Sequence, residues 1–344
     1  MSGRRLRVRS LVAFSVLATL LVLPTAGRAA DRPSFEFATP VFGLARAPEG
    51  RLLVADAGAG IVELRRRAGR LLVELPNVTD VAPVGERRMW ALTTLPGKLY
   101  EFERPGDLDV VANIGAFERR VNPDGAHVES NPFDLARIGR RRVLVADAAA
   151  NAVVIADRRG RLDWAATLPT ELVPTRNVKR LAGCPDPIPD FAFACDLPRR
   201  IPAEGVPTSV AVGPDGAYYV SELKGFPAPR NRSRIWRIEP GTRHARCGSS
   251  PACTVVADGF TSIVDINFGP DGTLHVVELD EGSWLAVELG AGTGGTVNAC
   301  SWPSFSCVEE ATGLTIPMAV AVRGERVFVV VSALIPGQAR VIEI

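Results

Sequence analysis

Short apolar runs recur along the chain, separated by punctuation rich in Gly, Pro and Asp. The clearest are Pro207 to Glu222 and Val264 to Glu278, each an apolar strand, a Gly-Pro-Asp-Gly turn and a second apolar strand. Pro and Gly supply the dihedrals of a tight reversal, so both segments are predicted hairpins. Weaker copies run from Gly43 to Asp56 and from Asp134 to Asp147, and degenerate ones from Asp80 to Thr93 and from Ala319 to Ser332. A third apolar strand follows each hairpin, as in Ile61 to Arg65 and Arg234 to Ile238, and usually a fourth. Four strands per repeat and six repeats predict an all-β fold, a six-bladed β-propeller. A pair of β-sandwiches is the rival, but it fits a repeat spread over the whole chain badly. The last repeat ends at its third strand, Ala339 to Ile344, so Phe35 to Thr39 is expected to supply the missing fourth strand and close the ring.

The segment before the repeats reads as a signal peptide. Arg4, Arg5, Arg7 and Arg9 precede an apolar run from Leu11 to Leu23, too short for a bilayer span of roughly 20 residues, and Gly27-Arg28-Ala29 offers a cleavage site. The expected mature chain is 30–344, secreted or held in the cell envelope, with no membrane span. Losing five Arg and no acid takes the formal charge from +2 to −3, and no basic run remains, which argues against nucleic acid as a partner. Six cysteines lie in three close couples: Cys184 with Cys195, Cys247 with Cys253, Cys300 with Cys307. In an exported chain these read as three local disulfides. The stretch 174–205, rich in Pro and Cys, reads as a loop inserted into the propeller.

Several segments resemble the ScyD/ScyE family of exported bacterial proteins, six-bladed propellers related to NHL repeats: Ala116 to Gly125, Ser130 to Asp134, Pro207 to Leu223 and Gly225-Phe226-Pro227. The resemblance covers essentially all of the mature chain. It implies the propeller fold and an association with scytonemin pigment biosynthesis, without a defined reaction.

In a propeller the first strand of a blade starts at the face where the second ends. The starts carry Gly43, Asp80, Asp134, Ser209, Asp265 and Ala319; the ends carry Asp56, Thr93, Asp147, Glu222, Glu278 and Ser332. The expected ligand site is therefore an acidic channel mouth of Asp80, Asp134, Asp265, Glu222 and Glu278, with Phe226 and His127 nearby. Hard oxygen ligands favour calcium or magnesium, and Asp134, Asp265 and Glu222 are the expected metal ligands. Against this, Asp56 and Asp147 at strand ends can simply bond the amides of the turns that follow. No nucleophile elbow, zinc-protease motif, phosphate loop or dinucleotide fingerprint occurs in the sequence. The leading expectation is a monomeric, non-catalytic propeller that binds or scaffolds a small molecule or protein. The alternative is a divalent-metal-dependent hydrolase or lyase resembling gluconolactonase-type propellers, and Asn267, two residues beyond Asp265, is its suggestive residue.

Overall fold

The computed structural model describes residues 36–65, 68–85, 87–103 and 108–344. The expected signal peptide at 1–29 lies outside them. The described chain folds into a six-bladed β-propeller, each blade an antiparallel sheet built in sequence order. The first strands of blades one to six are Val41–Arg46, Val78–Pro83, Pro132–Ile138, Gly205–Val212, Ile263–Phe268 and Ala319–Arg323, and each pairs with the strand that follows it. The second strands of the first, fourth and fifth blades, Leu52–Asp56, Tyr218–Lys224 and Leu274–Glu278, are buried along their whole length. This explains the consecutive apolar residues with which they run, Leu52 to Ala55, Tyr218 to Val220 and Val276 to Val277. The outermost strands, such as Ser306–Leu314, are mostly exposed and polar. Apolar cores fill the wedges between neighbouring blades, and one of them joins the last blade to the first through Val41, Val54, Val320 and Val329.

Among the described residues the sixth sheet has three strands. Phe35 is not described, and Glu36 to Thr39 form no strand. The amide of Ala38 donates to Asp56 Oδ2 at 2.6 Å, and Pro40 has no amide hydrogen, so these donors are not offered to a ladder. Attachment comes instead from Phe37, buried in the core shared by the first and last blades.

The two faces differ sharply. On one, the hairpin turns are short, although the connection after Ile238 sends Ala245–Arg246 across to pair with the outer strand of blade three. On the other lie three helices, α1 (Ile114–Val121), α2 (Arg176–Leu181) and α3 (Trp284–Glu288), and the stretch between blades three and four. That stretch contains a hairpin of Glu171–Pro174 with Arg200–Ala203, then α2 and a 3-10 turn. Buried Asn177 ties it down, donating to the carbonyls of Ala228 and Gly282 at 2.7 and 3.1 Å. The three expected disulfides are present: Cys184–Cys195, Cys247–Cys253 and Cys300–Cys307.

Candidate functional site

In blades one to five the strand register shifts just before Gly43, Asp80, Asp134, Ser209 and Asp265. Such a bulge re-aims the side chain that follows it. Here the re-aimed groups reach across to the next blade. Asp80 Oδ2 accepts the Leu135 amide at 3.2 Å, Asp134 Oδ2 the Val210 amide at 2.6 Å, Ser209 Oγ the Ile266 amide at 3.1 Å, and Asp265 Oδ2 the Val320 amide at 2.7 Å. One residue earlier, Thr79 and Thr208 donate to the carbonyls of Pro132 and Ile263. Gly43 must lack a side chain, since a Cβ there would sit 2.5 Å from Asp80 Oδ1.

The same groups also meet one another. The Ser209 hydroxyl lies 2.6 Å from Asp134 Oδ2 and 2.8 Å from Asp265 Oδ1, yet it has one hydrogen to give. Burial, followed by the charge of Asp134, pushes the pKa values of both Asp80 and Asp265 well above the ordinary carboxylate range, and Asp80 is also hydrogen-bonded to Asp134. The hydrogen count closes when Asp80 and Asp265 carry protons, one directed at Asp134 and the other at Ser209. The trio is thus a hydrogen-bonded belt between blades, in which burial and mutual repulsion favour the protonated forms of Asp80 and Asp265.

Two residues further along each strand stand Ala45, Ala82, Ala136 and Ala211, with Asn267 in blade five, all lining the axial channel. These small side chains leave a well of about 520 Å³. Its inner end carries the acids and Phe133, whose ring meets Phe42 edge-on at 5.5 Å between centroids. Its outer end, on the short-turn face, carries exposed Arg46 and Arg137 beside Phe268. The well therefore opens opposite to the expected acidic mouth.

The second-strand acids are engaged elsewhere, so the expected single ring divides. Asp56 accepts the Gly58 and Ala38 amides, and Asp147 those of Ala150 and Asn131. Both bind turn and strand-entry backbone. Burial lifts Asp147 to about 6. Glu278 accepts the Thr261 amide and Asn298 Nδ2, and burial, with the charges of Glu281 and Glu309, raises it to about 7. It borders a lateral groove of about 490 Å³ with Asn231, Phe260, Phe305 and Glu309. Glu222 is buried against Lys224, Arg234 Nε at 3.1 Å and Trp236 Nε1 at 2.8 Å. Lys224 and Arg234 in turn hold Glu171 of the inserted hairpin at 2.9 and 2.5 Å.

This arrangement separates the expected metal ligands. Asp134 and Asp265 flank Ser209, whereas Glu222 is neutralised by two cationic side chains. Among the described residues no group of three His, Cys, Asp or Glu side chains is arranged to hold a metal ion. Phe226 packs on the helical face, 6.1 Å from the Phe193 ring, within the small core under the inserted stretch. His127 is exposed on that same face, beside Asp124, Glu129 and Glu204. The structure thus brings Asp80, Asp134 and Asp265 together and leaves Glu222, Glu278, Phe226 and His127 in four other settings.

The alanine ring, Arg46 and Arg137 went unnoticed in sequence, although stepping two and three residues from each bulged position would have placed them on common levels. The Glu171 partnership had no signal, because 53 residues separate Glu171 from Lys224.

Neither a family profile nor a curated protein matches the chain by sequence. Solved structures similar to it include a structural-genomics protein of unknown function from Bacteroides thetaiotaomicron, with a TM-score of 0.57 and 9% identity over 90% of this chain and 70% of that one. PQQ-bound aldose sugar dehydrogenase from Streptomyces coelicolor superposes with a TM-score of 0.55 and 13% identity, covering 90% and 96% of the two chains. A streptogramin B lyase structure does so with a TM-score of 0.50 and 12% identity, covering 90% and 84%. At such identities the likeness is one of fold, the six-bladed β-propeller.

Proposed function

We propose that this protein is an exported, non-catalytic binding propeller of the ScyD/ScyE type that receives a small zwitterion of amino-acid size in its axial well. The observation that carries the reading is the well itself: its volume lies in the range of small-ligand sites, and its lining is graded in charge. Carboxyl oxygens and Asn267 at the inner end offer acceptors to an ammonium group, and Arg46 and Arg137 at the rim offer donors to a carboxylate. Because the acids already bond to the neighbouring blades, they serve as a fixed polar wall and not as free bases. Rigid walls limit the ordering cost of binding.

The test is calorimetric titration of the mature chain with each of the common amino acids. Binding of at least one is expected, with loss of at least tenfold in affinity in Ala136→Phe, which narrows the well, and in the double variant Arg46→Gln with Arg137→Gln. Failure of every amino acid to bind, or undiminished binding in both variants, would overturn the reading.

A further inference from the structure

On the short-turn face, the end of blade three carries six arginines in two connections. Arg140 and Arg141 lie in the turn between its first and second strands, and Arg142 opens the second. Arg158, Arg159 and Arg161 lie in the connection between its third and fourth strands, Ala152–Asp157 and Leu162–Thr167. The two connections sit side by side, since the Arg158 amide donates to the Arg141 carbonyl at 3.0 Å. All six arginines are exposed. Three consecutive arginines are a short run in sequence, and the density of charge arises only because folding sets a second basic turn beside them.

Few acids answer them. Asp157 accepts the Arg159 and Arg161 amides at 2.9 and 3.0 Å and Arg161 Nε at 2.6 Å, so its charge belongs to the turn that it closes. Glu101 of blade two takes Arg158 Nη2 at 3.0 Å but also Arg88 Nε at 3.2 Å. Among the described residues, the side chains of Arg140, Arg141, Arg142 and Arg159 make no ion pair or hydrogen bond. Nor do they shape the reversals, which rest on Gly139 and Gly160 at φ values of 64° and 76°. Clustered like charges repel one another, so the fold itself gains nothing from this arrangement.

We propose that this end of blade three is a docking surface for an acidic polysaccharide, a chain bearing carboxylates on successive sugar units. Guanidinium groups match carboxylates with paired hydrogen bonds, and the form of the patch selects the partner. A flat anionic bilayer would also meet the corresponding turns of blades four and five, which present Asp215 and Asp271 in place of arginine. A narrow chain laid along blade three avoids both. Protein partners anchor through buried aromatic or aliphatic side chains, and among the described residues no exposed large apolar side chain lies in either connection. On the reading that the chain is exported, the narrow polyanion it meets is carbohydrate and not nucleic acid. The surface is separate from the axial well, and neither depends on the other.

The experiment is calorimetric titration of the mature chain with polygalacturonate at low salt and again at physiological salt. Binding is expected at low salt and is expected to weaken as salt screens the contacts. The triple variant Arg140→Gln, Arg141→Gln, Arg142→Gln is expected to lose at least about tenfold in affinity, three exposed pairs being removed together. Its melting temperature is expected to match that of the wild type, because these side chains hold no part of the fold. The double variant Arg230→Gln with Arg232→Gln, on the helical face, is expected to bind as the wild type does, and methyl-esterified polygalacturonate, which has lost its charge, is expected not to bind. The proposal is overturned if polygalacturonate fails to bind at low salt, if the triple variant binds undiminished, or if the helical-face variant loses as much. It is equally overturned if phosphatidylglycerol vesicles, polyglutamate or duplex DNA bind more tightly than polygalacturonate.

Discussion

Moving from about pH 5 to about pH 8 removes protons that the native fold holds and the unfolded chain does not. Glu278 keeps its proton to about 7 in the folded state, against 4.5 for an unperturbed glutamic acid. Below the lower value both states are protonated, and between the two only the native state is. The unfolded chain therefore binds fewer protons in that window, and stability falls as pH rises, by roughly 1.4 kcal/mol per pH unit for one group. Over the window this amounts to about 3 kcal/mol from Glu278, and raised Asp80 and Asp265 act in the same direction. Carboxylates held low, such as Asp157 and Asp215, lose their stabilisation only as pH falls through their folded values, below this window. For about 300 ordered residues, with an unfolding entropy of roughly 2 cal/mol/K per residue, 3 kcal/mol corresponds to a drop in Tm of about 5 °C. The assay is circular-dichroism melting at constant ionic strength in chelator-containing buffer, with Glu278→Gln as control. A flat or rising Tm between the two pH values would refute the reasoning. So would a Glu278→Gln variant whose Tm declines as steeply as that of the wild type.

Lys224→Met should destabilise the fold by about 3 to 5 kcal/mol in urea unfolding, because it leaves Glu222 buried with one cationic partner fewer; a loss below about 1 kcal/mol would show that Arg234 and Trp236 suffice. Replacing Cys184 and Cys195 by Ala should cost about 3 kcal/mol, the loop-closure entropy of a short loop, and non-reducing peptide mapping should recover three local pairs with none between blades.

The blades were legible because their signal is local: short apolar runs punctuated by Gly-, Pro- and Asp-rich turns, repeated often enough to count. Equivalence between repeats likewise placed Asp80, Asp134 and Asp265 on one level. It could not say which way each would point, since that depends on a bulge preceding the residue. Nor did chain order separate Glu278, bonded to Thr261, from Glu222, bonded to Lys224, although both close second strands. The alternative reading of Asp56 and Asp147 as turn-binding residues matches the bonds they make to Gly58 and Ala150. The N-terminal segment meets the junction of the last and first blades through buried Phe37, while residues 36–39 join no ladder, a distinction between packing and pairing that the sequence does not carry.

The carboxylate belt runs from blade two through blade six and then stops, because Ala319 and Gly43 have no acceptor to extend to the next blade. The belt leaves the first blade unfastened on both sides, but the chain itself runs on from the first blade into the second, so the junction with the sixth is the clasp of the ring. The junction between the last blade and the first is held by apolar packing, with the Val41 amide on the Ala333 carbonyl and Arg323 on the Gly50 carbonyl. Opening there exposes one core wedge and breaks no carboxylate bond, so the lowest-energy partial unfolding should part the first blade from the sixth and leave the middle of the ring assembled. In hydrogen exchange, the amides of Val41 to Arg46 would then trade before those of Gly205 to Val212, and the sites fastened to blade three would outlast the seam.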